Sequence, residues 1–324
     1  MKGECLRSCH KQTASSVISS RSMDTRTGDF TAVRPQLFSI AYRMLGSVVD
    51  AEDLVQDAYV RWQEASDVDV RSPRAYLTTI VTRLAINQLR SARVQRETYV
   101  GPWLPEPLVT DPALDPSGEV ELAESLSMAV MVLLERLSPI ERAVFLLHEV
   151  FDFDYAEIAR VVDKTEANCR QIQTRARKRL GAPVPRFAAA PAQADRLLQR
   201  FTQAAQAGDI EGLLAVLAED ITLWADGGGK IPGAALKPVN GAARVARFVL
   251  GVMQRFVPEG SKVQPAQING QPGFIAYVSG RARAALVLDI RKDRIHAIYA
   301  IGNPDKLQTL SRSIQGSKRL KGVE

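Results

Sequence analysis

The chain has 324 residues, 46% of them hydrophobic, and carries a formal net charge of +6. A chain of this length can form two or three domains, each with its own core. No apolar stretch approaches the ~20 residues that a membrane-spanning helix needs, and the polar N-terminal residues lack the apolar centre of a secretory signal. Composition therefore argues against an integral membrane protein and predicts a cytoplasmic one, whose basic balance suits a polyanionic partner.

The N-terminal residues 1–29 are predicted to form a disordered tail, in which Met23 is an alternative start. The three cysteines of the chain are too few for a disulfide framework. Cys5, Cys9 and His10 lie close in sequence, but a structural zinc site needs a fourth ligand and none lies nearby. We therefore expect neither a metal nor a cofactor.

Residues 30–97 are predicted to form a domain of three helices. Apolar residues recur at helical spacing up to Gly46, which ends the first helix. A second helix follows with its own apolar face, and after a loop over 66–73 a third helix runs from about Pro73 to Gln95. The apolar residues of the first two helices are Leu37, Ile40, Ala41, Met44, Leu45, Ala51, Leu54, Val55, Ala58 and Trp62.

Charge is segregated within this predicted domain. Acidic residues dominate before the loop, whereas residues 70–96 contain six arginines and no acid. The arginines are Arg71, Arg74, Arg83, Arg90, Arg93 and Arg96. Arg83, Asn87 and Arg90 recur at i, i+4 and i+7, so they share one helix face. Guanidinium and amide groups on one face suit phosphate and base contacts on exposed DNA.

The second helix presents a different surface. Asp53, Gln56 and Asp57 point away from the apolar face on which Leu54 lies. An acidic surface of this kind suits a basic protein partner. A merely solvated face is the alternative, because charged runs on helices are usually exposed to water.

A linker and a second helical domain are predicted next. Residues 98–119 are rich in proline and glycine, which predicts little regular structure. They include the string WLPEPL, which comprises Trp103, Leu104, Pro105, Glu106, Pro107 and Leu108. Helical periodicity resumes near Glu119, and residues 120–181 are predicted to form the second domain.

Within that domain the sequence predicts a helix-turn-helix. Ser138 and Glu141 form a capping-box pattern, and Thr165 is a good N-cap for the last helix. That helix buries one face, made of Cys169, Ile172, Ala176 and Leu180, and exposes another, made of Arg170, Gln171, Thr174, Arg177 and Lys178. Such a helix after a tight turn is typical of a reader of the DNA major groove. A solvated basic face on an ordinary helix is the alternative.

The remaining chain predicts a second linker over 182–193, an α+β domain over 194–303 and a basic disordered tail over 304–324. The domain is expected to contain an antiparallel sheet. The predicted helices are Asp195–Ala218 and Gly241–Phe256, and the predicted strands are Ile221–Ala225, Phe274–Ser279, Arg283–Ile290 and Ile295–Ile301. Asn269-Gly270 and the stretch Arg291–Arg294 are predicted to form turns.

Several of these strings resemble a known family. FSIAYRMLGSVVDAEDLVQDAYVRW resembles σ region 2.1–2.2, SPRAYLTTIVTRLAINQLRSAR resembles regions 2.3–2.4, and the helix-turn-helix resembles region 4. Regions 2 and 4 without a region 3 domain between them form the layout of the extracytoplasmic-function (ECF) RNA polymerase σ factors. One departure is Thr82-Arg83, where the region 2.4 helix of the family often reads Arg-Asn.

Three further motifs narrow the resemblance. WLPEPL, DGGGK and NPDKL in this order are similar to the ECF group with a fused SnoaL-like domain, a cone-shaped fold of the nuclear-transport-factor-2 (NTF2) type. DGGGK comprises Asp226, Gly227, Gly228, Gly229 and Lys230, and NPDKL comprises Asn303, Pro304, Asp305, Lys306 and Leu307. The resemblance implies a multi-domain protein with two all-α σ domains and this C-terminal α+β cone.

The resemblance also implies functions for particular residues. Core RNA polymerase would contact Asp53, Leu54, Gln56 and Asp57. The promoter −10 element would be contacted by Arg71, Arg74, Arg83, Asn87, Arg90 and Arg93, and the −35 element by Thr165, Asn168, Arg170, Gln171, Thr174 and Arg177. WLPEPL would thread towards the active-site and exit channel of the polymerase. DGGGK and NPDKL would lie near an interface through which the C-terminal domain regulates the σ domains, without a separate anti-σ factor.

The sequence leaves three roles open for the C-terminal domain. A protein-contacting regulator is favoured over a pocket that senses a small molecule, and both are favoured over an enzyme. Gly227–Gly229 could form a backbone nest for an anion, whereas His296 has no convincing acid–base partner. We expect no catalytic residues. The alternative function for the whole chain is a ligand-responsive DNA-binding regulator that acts without polymerase.

Overall fold

A computed structural model of the protein describes residues 26–65, 70, 72–110, 127–181, 191–258 and 260–310, apart from the side chains of 92–97 and 191. Among these residues no helix is long and apolar enough to cross a membrane. The same residues contain no group of three or more histidine, cysteine or acidic side chains that could hold a metal ion. Cys5, Cys9 and His10 lie outside the described residues.

The N-terminal domain contains the three predicted helices. Helix α1 spans 26–45, α2 spans Val48–Glu64 and α3 spans Pro73–Glu97. Gly46 ends α1 in the left-handed region, at φ +69°, as predicted. Ser47 caps α2, and the predicted apolar face of that helix is buried.

The prediction of a disordered tail over residues 1–29 is wrong for residues 26–29, which form the start of α1. The guanidinium of Arg26 donates hydrogen bonds to the carbonyls of Trp62, at 2.5 Å, and Ala65, at 2.8 Å. It also lies 4.5 Å from the centre of the Trp62 ring. These contacts join the first turn of α1 to the last carbonyls of α2, which lack partners within their own helix.

The second domain also consists of helices. Helix α4 spans Met128–Leu134, α5 spans Pro139–Glu149, α6 spans Tyr155–Val162 and α7 spans Glu166–Leu180. The helical pattern was predicted to resume near Glu119, but residues 111–126 lie outside the described residues.

The helix-turn-helix is confirmed in its local detail. Ser138 and Glu141 form the predicted capping box at the start of α5. Asp163, at φ +55°, ends α6, and the Thr165 hydroxyl accepts a hydrogen bond from the Asn168 N–H at the start of α7. A left-handed residue followed by a capping threonine produces the tight turn between α6 and α7.

The two helical domains share one hydrophobic core, which contains buried residues from Phe30 to Leu89 and from Val130 to Leu180. Arg142, only 2% exposed, crosses the boundary between them. Its guanidinium donates to the Met44 carbonyl at the end of α1 and to the Leu134 carbonyl at the end of α4, each at 2.7 Å. We call this packing of the two helical domains the closed arrangement.

The C-terminal domain packs helices against one six-stranded sheet. Helix α8 spans Pro191–Ala207, α9 spans Ile210–Val216 and α10 spans Ala242–Phe256. The strands are β1 Leu217–Asp226, β2 Val239–Asn240, β3 Lys262–Ile268, β4 Gln271–Val278, β5 Arg281–Arg291 and β6 Arg294–Ile301. Their order in the sheet is β2-β1-β6-β5-β4-β3.

The sheet corrects two predictions. It is mixed, because β1 pairs in parallel with β6 while the other pairs are antiparallel. The helix predicted over Asp195–Ala218 is also wrong, since Gly208 at φ +70° ends α8 and Asp209 caps the separate helix α9. Strand β3 was not predicted, because Gln264, Pro265 and Gln267 interrupt its apolar pattern.

Two segments predicted to lack structure are ordered. Residues 98–110 of the first linker are extended, and Leu104, Pro105 and Glu106 are buried within them. The predicted tail over 304–324 instead begins with a 3-10 helix, Pro304–Leu307, and Leu310 is 3% exposed. In both segments apolar side chains insert between domains, so burial overrides the local preference for irregular backbone.

Candidate functional site

Helix α7 exposes the predicted polar face. Arg170, Gln171, Thr174 and Arg177 are exposed, whereas Asn168 is half-buried. Two of these side chains form ion pairs within the protein: Arg170 with Glu166 at 2.9 Å and Arg177 with Glu149 at 2.5 Å. Exposed pairs of this kind contribute little stability, so phosphates can replace them at small cost.

The predicted −10 face of α3 is partly covered. Asn87 and Arg90 are exposed, and Arg71 and the side chain of Arg93 lie outside the described residues. Arg83 donates hydrogen bonds to the carbonyls of Val161, at 2.9 Å, and Arg160, at 2.8 Å, which end α6.

Arg74 makes a second contact across the same boundary, where its guanidinium lies 5.2 Å from the Phe153 ring. Arg74 and Arg83 thus bind the helix-turn-helix domain in the closed arrangement. Two of the five N–H donors of Arg83 are engaged with helix carbonyls, which fixes the direction of its guanidinium in the closed arrangement.

The acidic face of α2 is exposed at Asp53, Gln56 and Asp57. Leu54, in contrast, is 5% exposed and lies in the core of the helical domains. Its assignment as a polymerase-contacting residue stays a prediction, which the exposed surface of α2 does not support. Its position one residue after Asp53 places it on the buried face of the helix.

The motifs WLPEPL, DGGGK and NPDKL meet at one buried carboxylate, that of Asp226 at the end of β1, which is 1% exposed. Oδ2 accepts hydrogen bonds from the Leu104 N–H at 2.8 Å and from Lys306 Nζ at 2.7 Å. Oδ1 accepts from the Tyr99 hydroxyl at 2.5 Å. We call Asp226, Tyr99, Leu104, Lys306 and Asn303 the Asp226 cluster.

The other members of the cluster bind one another. Asn303 donates from Nδ2 to the Tyr99 hydroxyl at 2.8 Å. Lys306 donates a second hydrogen bond to the Leu104 carbonyl at 2.5 Å, and its ammonium lies 4.1 Å from the centre of the Trp103 ring. Burial and the hydrogen bond to Asp226 raise the pKa of Tyr99. The linker backbone is thus held through both its N–H and its C=O groups.

The glycine run of DGGGK forms a tight loop after β1. Gly228 and Gly229 have φ of +58° and +70°. The Gly228 N–H donates to Asp226 Oδ1 at 3.1 Å. The carboxylate of the motif itself therefore binds the glycine backbone that was considered from the sequence as a site for an external anion. Lys230 pairs with Asp305 of NPDKL at 2.5 Å on the exposed side of the loop.

Glu106 of WLPEPL joins the linker to α2. Its carboxylate accepts hydrogen bonds from the Val48 N–H at 2.7 Å and from the Ser47 hydroxyl at 3.1 Å. Its own N–H donates to the Gly46 carbonyl at 2.8 Å. A carboxylate at a helix N-terminus stabilises the helix. Burial nonetheless raises the pKa of Glu106, and the hydrogen bonds from α2 oppose that shift only in part.

The linker also adds to the edge of the sheet. Val109 pairs antiparallel with Ile268 of β3, and the Asn269 N–H donates to the Leu108 carbonyl at 2.8 Å. Asn269 Nδ2 donates to the hydroxyl of Tyr42 of α1 at 2.7 Å, and that hydroxyl donates to the Glu106 carbonyl at 2.5 Å. Residues 98–110 therefore contact the N-terminal and C-terminal domains at once.

Sequence reasoning found the three motifs but missed Tyr42, Tyr99 and Asn269, which complete their contacts. Asn269 was recognised as a turn residue, and its φ of +53° confirms that. Its side-chain role depends on the distant Tyr42, so no local pattern could indicate it. Pro105, Pro107 and Leu307 belong to the motifs as buried packing residues, whereas Pro304 is exposed at the start of the 3-10 helix.

Known protein families match the two helical domains of the chain separately. The family model described as Sigma-70 region 2 matches residues 30–94, and the model described as Sigma-70, region 4 matches residues 127–180. The chain is 42% identical over 291 residues to the ECF RNA polymerase sigma factor SigJ of Mycobacterium tuberculosis, covering 86% of this chain and 92% of that protein.

Two further similarities cover the C-terminal domain as well. The probable ECF RNA polymerase sigma factor SigI of M. tuberculosis is 30% identical over 296 residues, which covers 90% of this chain and 98% of that protein. The crystal structure of the M. tuberculosis sigma factor SigJ superposes with a TM-score of 0.70 and 38% identity, covering 86% of this chain and 97% of that chain.

Proposed function

Because the chain belongs to the ECF RNA polymerase sigma factors, we propose that it directs core RNA polymerase to specific promoters and that its C-terminal domain controls this activity. Sigma factors are transcription regulators, and we assign the C-terminal domain no catalytic step. The observation that carries the proposal is the Asp226 cluster. It holds the linker between the two σ domains against the C-terminal domain through a buried carboxylate.

Promoter recognition is assigned to two surfaces. The exposed face of α7, with Arg170, Gln171 and Thr174, enters the major groove of the −35 element, as the second helix of a helix-turn-helix does. The face of α3 with Asn87 and Arg90 contacts the −10 element, where bases of the opened strand are bound by stacking and by cationic side chains.

Polymerase docking is assigned to the exposed face of α2. Asp53, Gln56 and Asp57 present carboxylate and amide groups suited to a basic surface of the core enzyme. Electrostatic complementarity of this kind speeds association and selects the partner.

The closed arrangement opposes promoter binding at two points. Arg83 donates to carbonyls at the end of α6, and these hydrogen bonds must break before the side chain can be redirected to the −10 element. WLPEPL is held by Asp226 and by the N-terminus of α2, so it cannot simultaneously thread into the polymerase channel. Initiation therefore requires the linker to leave the Asp226 cluster and the two σ domains to separate.

Covalent fusion makes this regulation efficient. A domain on the same chain acts at a high effective concentration, in the millimolar range for short linkers. It can therefore replace a separate anti-σ protein. The interface is made by backbone and side chains of the protein itself.

Run-off transcription with purified core polymerase tests the proposal on promoters selected by genomic pull-down. The full chain is compared with a truncation ending at Leu180. Specific initiation by the full chain together with an altered rate for the truncation supports both parts of the proposal. DNA binding without initiation by either form would instead favour a regulator that acts without polymerase, and an unaltered rate would remove the regulatory role.

A further inference from the structure

Most of the exposed large hydrophobic side chains of the described residues fall on two surfaces. Helix α2 carries Val49, 51% exposed, and Val60, 47% exposed. The C-terminal domain carries the second set, which comprises Val100 of the adjoining linker, Ile231, Leu236, Phe256 and Val257. Ile210, 37% exposed, lies apart from both.

The second set lies on and beside the loop that follows DGGGK. A Cβ at Gly229 would lie 3.1 Å from Val100, and a Cβ at Gly101 would lie 3.8 Å from Leu236. The Phe256 ring covers Gly233, where a Cβ would approach it to 2.3 Å. We call Val100, Ile231, Leu236, Phe256 and Val257 the basic apolar patch.

The charge beside this patch is mainly positive, although Lys230 is paired with the exposed Asp305 at 2.5 Å. Residues 227–258 contain no aspartate or glutamate. Lys230, Lys237 and Arg255 are exposed, and each directly adjoins an apolar member of the patch in sequence. The patch also begins next to the Asp226 cluster, because Gly229 and Lys230 belong to DGGGK.

The other surface has the opposite charge. Val49, Asp53, Gln56 and Val60 recur at i, i+4, i+7 and i+11, so they form one stripe along α2. Asp53 is the acidic member of the stripe, and the helix Val48–Glu64 as a whole contains five acidic residues and one basic residue, Arg61. Of these acids, Glu52 is paired with Arg34 at 2.6 Å. We call this stripe the acidic apolar stripe, and its charge complements that of the basic apolar patch.

We propose that two copies of the chain associate, with the acidic apolar stripe of each copy seated on the basic apolar patch of the other. Opposite charges and apolar side chains on both surfaces supply the complementarity that protein interfaces use. Reciprocal pairing would form each contact twice in a closed dimer. Each patch is small, which points to a weak association, of the order of micromolar.

Self-association would hide the face of α2 assigned to polymerase docking. This consequence rests on the proposed function, whereas the association itself does not. The dimer would therefore be unable to bind core polymerase. Dilution, or binding of the monomer to core polymerase, would shift the equilibrium from dimer to monomer.

Sedimentation velocity of the full chain without polymerase or DNA tests the association. We expect a dimer at a concentration of about 100 µM and an ionic strength of about 50 mM, with at least about tenfold weaker association near 500 mM, because salt screens exposed charges. Leu236→Glu on the patch and Val60→Glu on the stripe should each produce a monomer. Ile210→Glu is the matched control and should leave the dimer unchanged.

Charge reversal provides a second measurement that does not depend on apolar side chains. Asp53→Lys and Lys237→Glu should each weaken association, and an equimolar mixture of the two variants should restore it, because one unaltered stripe then meets one unaltered patch. Circular dichroism tests whether each variant folds, and Val49→Glu replaces Val60→Glu if the latter does not fold. A wild-type chain that stays monomeric at low salt would overturn the proposal, as would a dimer that none of these substitutions weakens.

Discussion

Lys306 Nζ lies 2.7 Å from Asp226 Oδ2, and both side chains are almost completely buried. Removing one partner of a buried ion pair destabilises a protein by about 3–5 kcal/mol, because the remaining charge is left buried without its partner. This pair holds the backbone of Leu104 as well. The pair therefore anchors the Leu104 segment of the linker to the C-terminal domain.

The pair can be tested by a double-mutant cycle. Asp226→Asn should leave Lys306 buried without its carboxylate, and Lys306→Met should leave Asp226 without its ammonium. Each single change should loosen the linker, increase hydrogen exchange of the Leu104 amide and raise promoter output. The combined variant should be less destabilised than the sum of the two, by roughly 0.5–3 kcal/mol of coupling in denaturant unfolding. Strict additivity would show that the two side chains do not interact.

Gly46 permits a close approach of the linker to the end of α1. A Cβ at this position would lie 2.5 Å from the Trp103 ring, and φ is +69°. Gly46→Ala should therefore displace Trp103 as well as strain the backbone, and lower the midpoint of thermal unfolding. Gly181→Ala is the matched control, since Gly181 has φ +75° and no atom of the described residues lies within 4 Å of the added Cβ.

The strain common to both glycine substitutions costs about 1 kcal/mol. A larger loss for Gly46→Ala, measured by urea unfolding, isolates the contact with Trp103. Equal losses at the two positions would contradict the assigned packing of the linker.

Glu106 should make the contact between the linker and α2 dependent on pH. Burial raises the pKa of its carboxyl in the folded protein above that in the unfolded chain. Its contribution to stability is therefore present in full at pH values below the ordinary carboxyl pKa, and is lost as pH rises through the folded-state pKa. Glu106→Gln should remove this dependence. The measurement is the difference in free energy of unfolding between the two proteins across about pH 4 to 7, and a difference that does not vary with pH would contradict it.

Arg83 and Arg90 lie on the same face of α3 but differ in their contacts within the protein. Arg90→Ala should weaken promoter binding only. Arg83→Ala should also remove the hydrogen bonds to the Val161 and Arg160 carbonyls and so increase hydrogen exchange at the end of α6. Loss of a DNA contact should cost about 1–3 kcal/mol in either case. Identical exchange in the two variants would show that Arg83 does not hold the closed arrangement.

Arg170 on α7 distinguishes base reading from phosphate binding at the −35 element. Arg170→Ala should weaken binding by about 1–3 kcal/mol and relax the sequence preference at one position if the guanidinium reads a base. It should instead lower the salt dependence of binding uniformly across sequences if the contact is to phosphate. Titration of promoter variants at several salt concentrations separates the two, and wild-type affinity would remove Arg170 from the interface.

The helical domains were largely predictable from the sequence. Capping residues such as Ser138 and Thr165 and the left-handed Gly46 act locally, so their patterns indicate helix ends directly. The division of the predicted Asp195–Ala218 helix at Gly208 was missed. The parallel pairing of β1 with β6 was also missed, since strand pairing depends on tertiary context.

The candidate site was predictable only as three separate motifs. Nothing local in WLPEPL indicates that Leu104 and Glu106 are buried, because proline-rich sequence usually lies exposed in linkers. Their partners Asp226 and Val48 lie far along the chain. Leu54 was assigned to polymerase contact through the family resemblance, although helical periodicity places it on the apolar face of α2.

The central claim is that the linker must leave the C-terminal domain before initiation. A disulfide between Gly101→Cys and Leu236→Cys would prevent this, since a Cβ at residue 101 lies 3.8 Å from Leu236 and disulfides require such proximity. Cys5→Ser and Cys9→Ser remove competing thiols, and Gly101→Cys alone controls for backbone strain. Run-off transcription with core polymerase should fail for the oxidised protein and recover on reduction. Equal transcription by the fully cross-linked and the reduced protein would contradict the account.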